Sequence, residues 1–222
     1  MSGILTFDDI STVIVNYRTP ELLETAATSF RKFYPDAGLV IVDNGSNDLS
    51  IDVIGKLVKD NKTKTKSLML EKNNYHGPAM DRAMKFVDRA VVFFLDSDTK
   101  TNVGGFLELM LQEINRDEMV YGVGQLDRVN KRGFADEEGA ITILLSPYMM
   151  LRRKMYLDLP PFKHHGMPTL ENFSCAKERG YLLRNFDIAS YVEHHGRGTA
   201  SKFGYGLGFR GKWDYLLNKA GL

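Results

Sequence analysis

Short apolar runs rich in β-branched residues alternate with helical patterns through the first half of the chain, and this alternation most constrains the fold. The runs cover residues 11–15, 39–42, 67–70 and 91–95 and predict four strands. Apolar residues recur at helical spacing over residues 22–33, 51–58, 79–87 and 106–114. Since strands that alternate with helices form parallel sheets, we expect an α/β fold whose sheet is mostly parallel and flanked by helices.

The second half of the sequence is less regular. It predicts strands over residues 120–125 and 141–145, with a polar stretch between them, and a helix over residues 172–179. No break in composition and no linker divides it from the first half. We therefore expect a single domain over residues 1–222, with a smaller mixed region in its second half.

Polar side chains follow each of the four predicted strands within a few residues. They are Asn16-Tyr17-Arg18, Asp43-Asn44, Asn73-Asn74 and Asp96-Ser97-Asp98. In open parallel sheets, ligands bind beyond the carboxyl ends of the strands, where these segments should meet. This edge of the sheet is the predicted ligand site.

Asp96-Ser97-Asp98 is the strongest chemical signal. Two carboxylates two residues apart, at the end of an apolar strand, repel each other and raise each other's pKa, and a divalent cation relieves that repulsion. Oxygen ligands suit Mg²⁺ or Mn²⁺, either of which could bridge to substrate phosphates. The alternative is a solvated strand end with two incidental acids.

Several other phosphate chemistries fit poorly. A phosphatase with a nucleophilic first Asp would carry Thr or Val four residues later, where this chain has Lys100. The loop after the first strand has no glycine to let a pyrophosphate approach the backbone, and the sequence contains no G-x-x-x-x-G-K-[ST] phosphate loop. Dinucleotide-binding and phosphate-loop folds are therefore disfavoured.

Composition excludes further classes. Lys and Arg total 29 against 28 Asp and Glu, a net charge of +1, whereas nucleic-acid-binding domains usually carry a basic excess, so we expect no nucleic-acid partner. The lone Cys175 excludes a scaffold built on disulfides. No apolar run approaches the ~18 residues needed to span a bilayer, and the acidic start shows no secretory signal. We expect a cytoplasmic protein with at most peripheral membrane contact.

Four blocks in order then resemble one known family. They read TVIVNYRTPELLETAATSF, LVIVDNGSND, LEKNNYHGPAMDRAM and VVFFLDSDT. Their order and spacing resemble GT-A glycosyltransferases of family 2, and weaker similarity continues through YMMLRR and VEHHGRGT. The resemblance implies a GT-A fold, a nucleotide-sugar donor, a divalent metal and inversion at the anomeric carbon.

The resemblance also assigns roles to residues at the sheet edge. Asn16, Tyr17 and Arg18 stand where the family lines the base and ribose pocket, and Asp43, followed by Asn44, stands where a carboxylate contacts uracil or thymine. A carboxylate can accept the imide N–H of such a ring, which favours a UDP- or dTDP-linked donor. Asp96 would face the ribose and metal waters beside Ser97, and Asp98 would ligate Mn²⁺ or Mg²⁺.

Other assignments fall where the chain departs from the family pattern. Asn74 and Gly77 lie in the third block, and Asp81 would replace a family Asn in the donor pocket, although Asp81 and His76 could simply cap a helix. Glu171 is the candidate base, in a Glu-Asn pair where the family usually has Glu-Asp, and the alternative is a solvated Glu at a helix start. His194 would be a third ligand of the metal or diphosphate.

The function implied is transfer of a hexosyl or deoxyhexosyl group to a hydroxyl on a glycan, lipid-linked intermediate or protein. Residues 1–100 would form the nucleotide-sugar half and residues 101–222 the acceptor half. The acceptor half ends in a glycine-rich loop that could close over the donor phosphates, and His164-His165 would shape an acceptor loop. We also allow for a homodimer.

Two other functions stay open at this point. A sugar nucleotidyltransferase would share the fold, but it would normally carry a glycine- and basic-rich loop after the first strand. A nucleotide-sugar-binding module without turnover would keep the donor pocket and lack the base, which the Glu171-Asn172 departure leaves open.

Overall fold

The computed structural model describes residues 3–131, 133–163 and 167–196. The predicted glycine-rich loop beyond Gly196 and the His164-His165 acceptor loop lie outside these ranges. The first half follows the expected alternation: β1 (Ile10–Asn16), α1 (Pro20–Phe33), β2 (Gly38–Asp43), α2 (Ser50–Asp60), β3 (Thr65–Met69), α3 (His76–Phe86), β4 (Val91–Asp96), β5 (Thr99–Thr101) and α4 (Phe106–Asn115).

The second half adds four strands and two helices to the described chain. They are β6 (Val120–Val129), β7 (Ile141–Arg152), α5 (Arg153–Leu157), α6 (Leu170–Glu178), β8 (Leu182–Asn185) and β9 (Val192–His194). Short 3-10 turns at Phe7–Asp9 and Ile188–Ser190 precede β1 and β9.

Seven strands form one sheet in the order β3-β2-β1-β4-β7-β6-β8. Strands β3, β2, β1 and β4 run parallel, β7 is antiparallel to both β4 and β6, and β8 is parallel to β6. A second, two-stranded antiparallel sheet joins β5 to β9. The expected mostly parallel α/β sheet flanked by helices is therefore confirmed, with a mixed region around β6 and β7.

The apolar core lies on both faces of the large sheet because neighbouring strand residues point to opposite sides. In β4, Phe93 packs with side chains of α1, α2 and α4, whereas Phe94 packs with side chains of α3, α5 and α6. Both phenylalanines are buried. A strand buried on two faces must be apolar throughout, which explains the unbroken run at residues 91–95.

Strands β6 and β7 are longer than the sequence indicates. Residues 141–145 were the expected extent of β7, yet the strand continues to Arg152 past Pro147. The pairing passes from Gly124↔Met149 to Leu126↔Leu144, which leaves extra residues on β7 as a bulge. Proline cannot donate a ladder hydrogen bond and is tolerated at bulges, so the strand survives an apparent stop signal.

Candidate active site

The carboxyl ends of β1, β2 and β4 bring the predicted polar segments together. Asn16 pairs in register with Asp43, and Val15, the residue before Asn16, pairs with Asp96. The sequence patterns of three separate strands therefore converge on one crevice at the sheet edge, as expected for a parallel sheet.

Asp43 is held in a fixed orientation at the base of this crevice. Its Oδ1 accepts hydrogen bonds from Ser46 Oγ at 2.5 Å and from Asn16 Nδ2 at 3.2 Å, and its Oδ2 accepts one from the Ser46 amide at 2.9 Å. All three residues are buried. Burial of a carboxylate requires such bonds, and the remaining lone pairs of Asp43 could still accept an N–H from a ligand.

Asn16 also connects this carboxylate to the Asp96-Ser97-Asp98 segment. Its Oδ1 accepts a hydrogen bond from Thr19 Oγ1 at 2.8 Å, and Thr19 Oγ1 lies 3.2 Å from Ser97 Oγ. These hydroxyl and amide groups are buried. The ends of β1, β2 and β4 are thus joined by one polar network, which stiffens the crevice.

The loop after β1 turns sharply at Arg18, whose φ is 55°. The Arg18 amide donates to Ser46 Oγ at 2.9 Å and its Nε donates to the Ser46 carbonyl at 3.0 Å, while its guanidinium carbon lies 5.3 Å from the centre of the Tyr17 ring. A positive φ costs energy in a residue that has a side chain, so these contacts compensate for the strain. Tyr17 and Arg18 form the rim of the crevice.

Asn44 fixes the loop between β3 and α3. Its Nδ2 donates to Asn73 Oδ1 at 3.1 Å and to the Tyr75 carbonyl at 3.2 Å, and its Oδ1 accepts from the Asn74 amide at 2.9 Å. Tyr75 has a φ of 66° and precedes α3. The predicted donor-pocket residues Asn44 and Asn74 are therefore neighbours, joined through backbone groups.

Asp96, Asp98 and His194 form a compact group of potential metal ligands. One ligand atom from each lies within 4.8 Å of the others. His194 Nε2 is 3.2 Å from Asp98 Oδ1 and 3.9 Å from Asp96 Oδ2, and His76 Nε2 is 3.8 Å from Asp96 Oδ1. The structure thus brings together the two predicted carboxylates and the predicted late histidine.

The charges in this group are strongly coupled. Burial raises the pKa of the Asp96 carboxyl and the neighbouring Asp98 adds to the effect, against the opposing pull of His76 and His194. The hydrogen bond to Asp98 raises the pKa of His194, although burial opposes it. Both shifts favour the protonated forms of these groups. The cluster would therefore be stabilised by an added positive charge.

The donor set fits a divalent cation. Carboxylate oxygens suit Mg²⁺ and Mn²⁺, and a neutral imidazole is a common transition-metal ligand. A cation bound here would replace the proton that the cluster otherwise attracts. Asp98 and His194 are the residues that would hold it, with Asp96 close enough to bind its water ligands.

The small sheet brings His194 to the carboxylates. Thr99 pairs with His194 across β5 and β9, and the His195 amide donates to the Asp98 carbonyl at 2.9 Å. Neither three-residue strand was predicted, because segments this short show no periodicity. His76 beside Asp96 was also missed as a site residue and was expected only as a possible helix cap.

Asp81 makes its side-chain contacts with Tyr156 and Lys85 and not with Asp96 or Asp98. It is buried in the second turn of α3, where its Oδ1 accepts from Tyr156 at 2.8 Å and its Oδ2 pairs with Lys85 at 2.6 Å. It is too far into the helix to cap it, which corrects the helix-cap alternative. These contacts support a structural role, and donor binding by Asp81 stays a prediction.

Glu171 lies in the first turn of α6 and pairs with Lys163. The carbonyl of Lys163 packs so closely on Gly77, in the first turn of α3, that a Cβ there would overlap it. His76, the neighbour of Gly77, faces Asp96. A chain of contacts through Lys163 and the start of α3 therefore links the helix that carries Glu171 to the potential metal site.

Asn172, the unexpected partner of Glu171 in sequence, is a buried anchor. Its Oδ1 accepts from the Tyr121 hydroxyl at 2.7 Å and its Nδ2 donates to the Pro160 carbonyl at 2.7 Å. An amide can donate and accept at once, which a carboxylate cannot do here. The departure from Glu-Asp to Glu-Asn thus has a structural reason, and the role of Glu171 as a base stays a prediction.

The sequence model of glycosyl transferase family 2 matches residues 11–174, about three quarters of the chain. The matched range includes all the site residues described above except His194.

The chain belongs to glycosyltransferase family 2.

Solved structures of GT-A glycosyltransferases share this fold. A mannosyltransferase from Pyrobaculum calidifontis, in complex with GDP-Man and Mn²⁺, has a TM-score of 0.65 and 14% identity over 81% of this chain and 55% of its own. TarS 1–349 from S. aureus, in complex with UDP-GlcNAc, has a TM-score of 0.59 and 19% identity over 82% and 57%.

A third structure covers more of both chains. Glucosyl-3-phosphoglycerate synthase from Mycobacterium tuberculosis, in complex with Mn²⁺, UDP and glucosyl-3-phosphoglycerate, has a TM-score of 0.63 and 16% identity over 96% of this chain and 80% of its own. At these identities the likeness establishes the fold alone. No curated protein sequence matches the chain.

The family 2 chain spans little more than half the length of the first two of these structures. Within its described residues, no helix combines the length and the apolar character that a bilayer crossing requires. The predicted family and the GT-A fold are confirmed, whereas the roles of individual site residues stay predictions.

Proposed function

We propose that this family 2 protein is a metal-dependent inverting glycosyltransferase. It would move a hexosyl or deoxyhexosyl group from a UDP- or dTDP-sugar to a hydroxyl on a glycan, lipid-linked intermediate or protein. The observation that carries the proposal is the convergence of Asp96, Asp98 and His194 beside the Asp43 crevice. The family supports the reaction class, and a cation held by the cluster would bind the donor diphosphate.

The donor base would lie in the crevice between the ends of β1 and β2. Asp43, oriented by Ser46 and Asn16, can accept the imide N–H of uracil or thymine. Tyr17 and Arg18 at the rim would flank the base and ribose, and Asn44 with Asn74 would shape the opposite wall. An amino-carbonyl base such as cytosine lacks that imide N–H, which favours UDP or dTDP.

Asp98 and His194 would ligate the cation directly, with Asp96 facing the ribose and the metal-bound waters. We favour Mn²⁺ over Mg²⁺ because Mg²⁺ strongly prefers oxygen ligands and an imidazole belongs to this set. When bound, the cation would supply positive charge against the negative charge of the departing nucleoside diphosphate.

Glu171 would serve as the base in a single displacement. Its carboxylate takes the proton of the acceptor hydroxyl while that oxygen attacks the anomeric carbon from the side opposite the diphosphate. The bond from the anomeric carbon to the phosphate oxygen breaks, and its electron pair leaves with the diphosphate. Attack from the opposite side inverts the anomeric configuration.

The acceptor would approach from the second half of the chain, where α6 carries Glu171. Residues 1–100 would then mainly bind the donor and the later residues the acceptor, within one domain. Cytoplasmic placement, peripheral contact with a membrane and a homodimer remain parts of this proposal.

Thermal-shift binding of UDP, dTDP, GDP and CDP, each with and without Mn²⁺, tests the donor site. A ligand that binds only the folded state raises its stability by about 2.7 kcal/mol at 100 times its dissociation constant. We expect an Mn²⁺-dependent shift with UDP or dTDP. No shift with any nucleotide would contradict the proposal, and donor binding without transfer to any acceptor would favour a binding module.

Asp98→Ala tests the metal assignment. We expect it to weaken Mn²⁺ binding by more than about tenfold, since even second-layer partners of metal ligands cost that much, and to abolish the Mn²⁺-dependent part of the nucleotide shift. Asp88→Ala removes an exposed carboxylate in the loop between α3 and β4 and serves as the control. Full metal-dependent binding and transfer by Asp98→Ala would refute the assignment.

A further inference from the structure

The pair of Lys163 and Glu171 lies open to solvent at the acceptor side of the site. Their side chains are 58% and 49% exposed, so an incoming molecule can reach both partners. An exposed ion pair contributes little to stability and exchanges partners readily. Stability alone therefore does not explain why a lysine pairs with Glu171, the candidate base.

The backbones that carry the two side chains are fixed from the interior. Asn172 ties the first turn of α6 to the Pro160 carbonyl and to Tyr121. The Tyr156 hydroxyl, held by Asp81, accepts from the Phe162 amide at 3.2 Å. The approach of Lys163 to Glu171 thus follows from buried hydrogen bonds on both sides.

Lys163 is fixed further by its own backbone. Its amide donates to the Pro168 carbonyl at 3.0 Å, and its carbonyl packs on Gly77 of α3. Its side chain, by contrast, is 58% exposed and has room to turn through solvent from Glu171 to a group bound nearby. A fixed backbone thus carries an exposed cation next to the candidate base.

We infer that Lys163 recognises an oxyanion on the acceptor, a phosphate or a carboxylate, and holds Glu171 until that oxyanion arrives. This inference rests on the proposed function and narrows its acceptor class. While Lys163 pairs with Glu171, its ammonium occupies the carboxylate oxygen that would otherwise meet the acceptor hydroxyl. When Lys163 turns to the acceptor oxyanion, Glu171 is released beside the acceptor hydroxyl.

The released carboxylate then takes the hydroxyl proton as the acceptor oxygen bonds to the anomeric carbon. The electron pair of the broken sugar–phosphate bond leaves with the nucleoside diphosphate, so charge and protons balance. Lys163 stays with the oxyanion and forms no bond to the sugar. It acts as a specificity-determining and positioning residue.

Hydrolysis of the donor, with water as acceptor, tests this inference without knowledge of the acceptor. With the nucleotide sugar chosen by Mn²⁺-dependent binding, we expect Lys163→Met to raise hydrolysis about two- to fivefold, the range that release of an exposed ion pair allows. Lys163→Arg restores a cation and should suppress hydrolysis again. Lys59→Met, at an exposed lysine on α2, is the control for loss of a surface charge.

Two further experiments distinguish release of Glu171 from a general effect of the lost lysine charge. Glu171→Gln added to Lys163→Met should remove the rise, because the released base is then absent. Sulfate, compared with chloride at equal ionic strength, should stimulate the wild type by drawing Lys163 away and should leave Lys163→Met unchanged.

The outcomes distinguish this inference from the proposed function. Mn²⁺-dependent donor binding with equal hydrolysis in the wild type and Lys163→Met, including none in either, overturns the inference and leaves the donor site intact. A rise that survives Glu171→Gln overturns it as well. Absence of metal-dependent donor binding overturns the proposed function itself.

Discussion

Two buried side chains hold the segment between α5 and α6 in place. Asn172 and Tyr156 are both buried, and each makes a hydrogen bond to the backbone of this segment, at Pro160 and Phe162. A buried donor or acceptor that loses its partner costs about 1–3 kcal/mol, so neither residue is easily replaced. The precision of the exposed pair at Glu171 is thus set by residues that solvent never reaches.

Gly77 gives a residue-level prediction with a matched control. Gly77→Ala places a methyl group against the Lys163 carbonyl, which cannot move without disturbing these bonds, so we expect a loss of about 1–3 kcal/mol in unfolding free energy. Gly55→Ala, in the interior of α2 with open space around it, should instead stabilise by about 0.4–1 kcal/mol. Urea denaturation measures both. Equal effects at the two positions would contradict the close packing of Lys163 on α3.

At the same scale, the sequence predicts some site residues and misses others for a physical reason. Asp96 and Asp98 follow an apolar strand, and a parallel sheet leaves such residues only one edge to occupy. The sequence around Asp81 does not indicate its partner Tyr156. The two residues are distant in the chain and meet only because α5 packs on α3. Interactions between distant segments have no signature in local periodicity.

Among the elements, Tyr34 joins α1 to α4. It ends α1, and its hydroxyl accepts from the Leu107 amide at 3.1 Å in the first turn of α4 and lies 3.4 Å from Glu108 Oε2. The first amides of a helix have no partner within it, so the tyrosine hydroxyl serves as a cap supplied from another helix. Its burial, the largest cause, raises the pKa of Tyr34 to about 12.

Tyr34→Phe should therefore change both stability and its pH dependence. At neutral pH we expect a loss of about 1–2 kcal/mol from the unpaired Leu107 amide. The folded pKa exceeds the ordinary value of 10.0, so the contribution of Tyr34 is complete below pH 10 and is lost as the pH rises towards about 12. Between pH 9 and 11, the free energy of unfolding should fall less steeply for Tyr34→Phe than for the wild type, as measured by chemical denaturation. Tyr75→Phe, at an exposed tyrosine, is the control and should behave as the wild type does.

The elements themselves were predictable where their patterns are long. Apolar runs predict the four parallel strands, and helical spacing predicts α1 to α4. The strand order of the sheet agrees with this alternation of strands and helices. By contrast, β5, β8 and β9 are three or four residues long and gain their geometry only by pairing with neighbours. The position of His194 could therefore be inferred from the family resemblance and not from periodicity.

Across the whole molecule, stability is distributed unevenly. The large sheet lies between two apolar clusters, whereas the β5–β9 sheet pairs only three residues on each strand, and Val192 is the one buried residue of β9. Elements with few buried apolar contacts open locally without global unfolding. The potential metal site thus combines ligands from the end of a central strand and from a short strand that we expect to open first.

Native-state hydrogen exchange tests this distribution. We expect amides of β1 and β4 to exchange only through global unfolding, and those of β9 with His195 to exchange through a lower-energy local opening. Mn²⁺ with UDP should protect the β9 amides selectively, because binding to His194 favours the paired form. Equal protection in β4 and β9 without ligand, or no added protection in β9 with it, would argue against His194 as a ligand.

The pairing of β5 with β9 has a consequence for how enzymes of this kind could diversify. A recombination event, natural or engineered, that replaced everything after α4 to obtain a new acceptor preference would also remove the histidine beside the two aspartates. Such a chimera would keep the crevice at the ends of β1 and β2 but lose one of the three potential metal ligands. Exchange of acceptor segments is therefore expected to succeed where the junctions spare Val192–His194 and to fail where they do not.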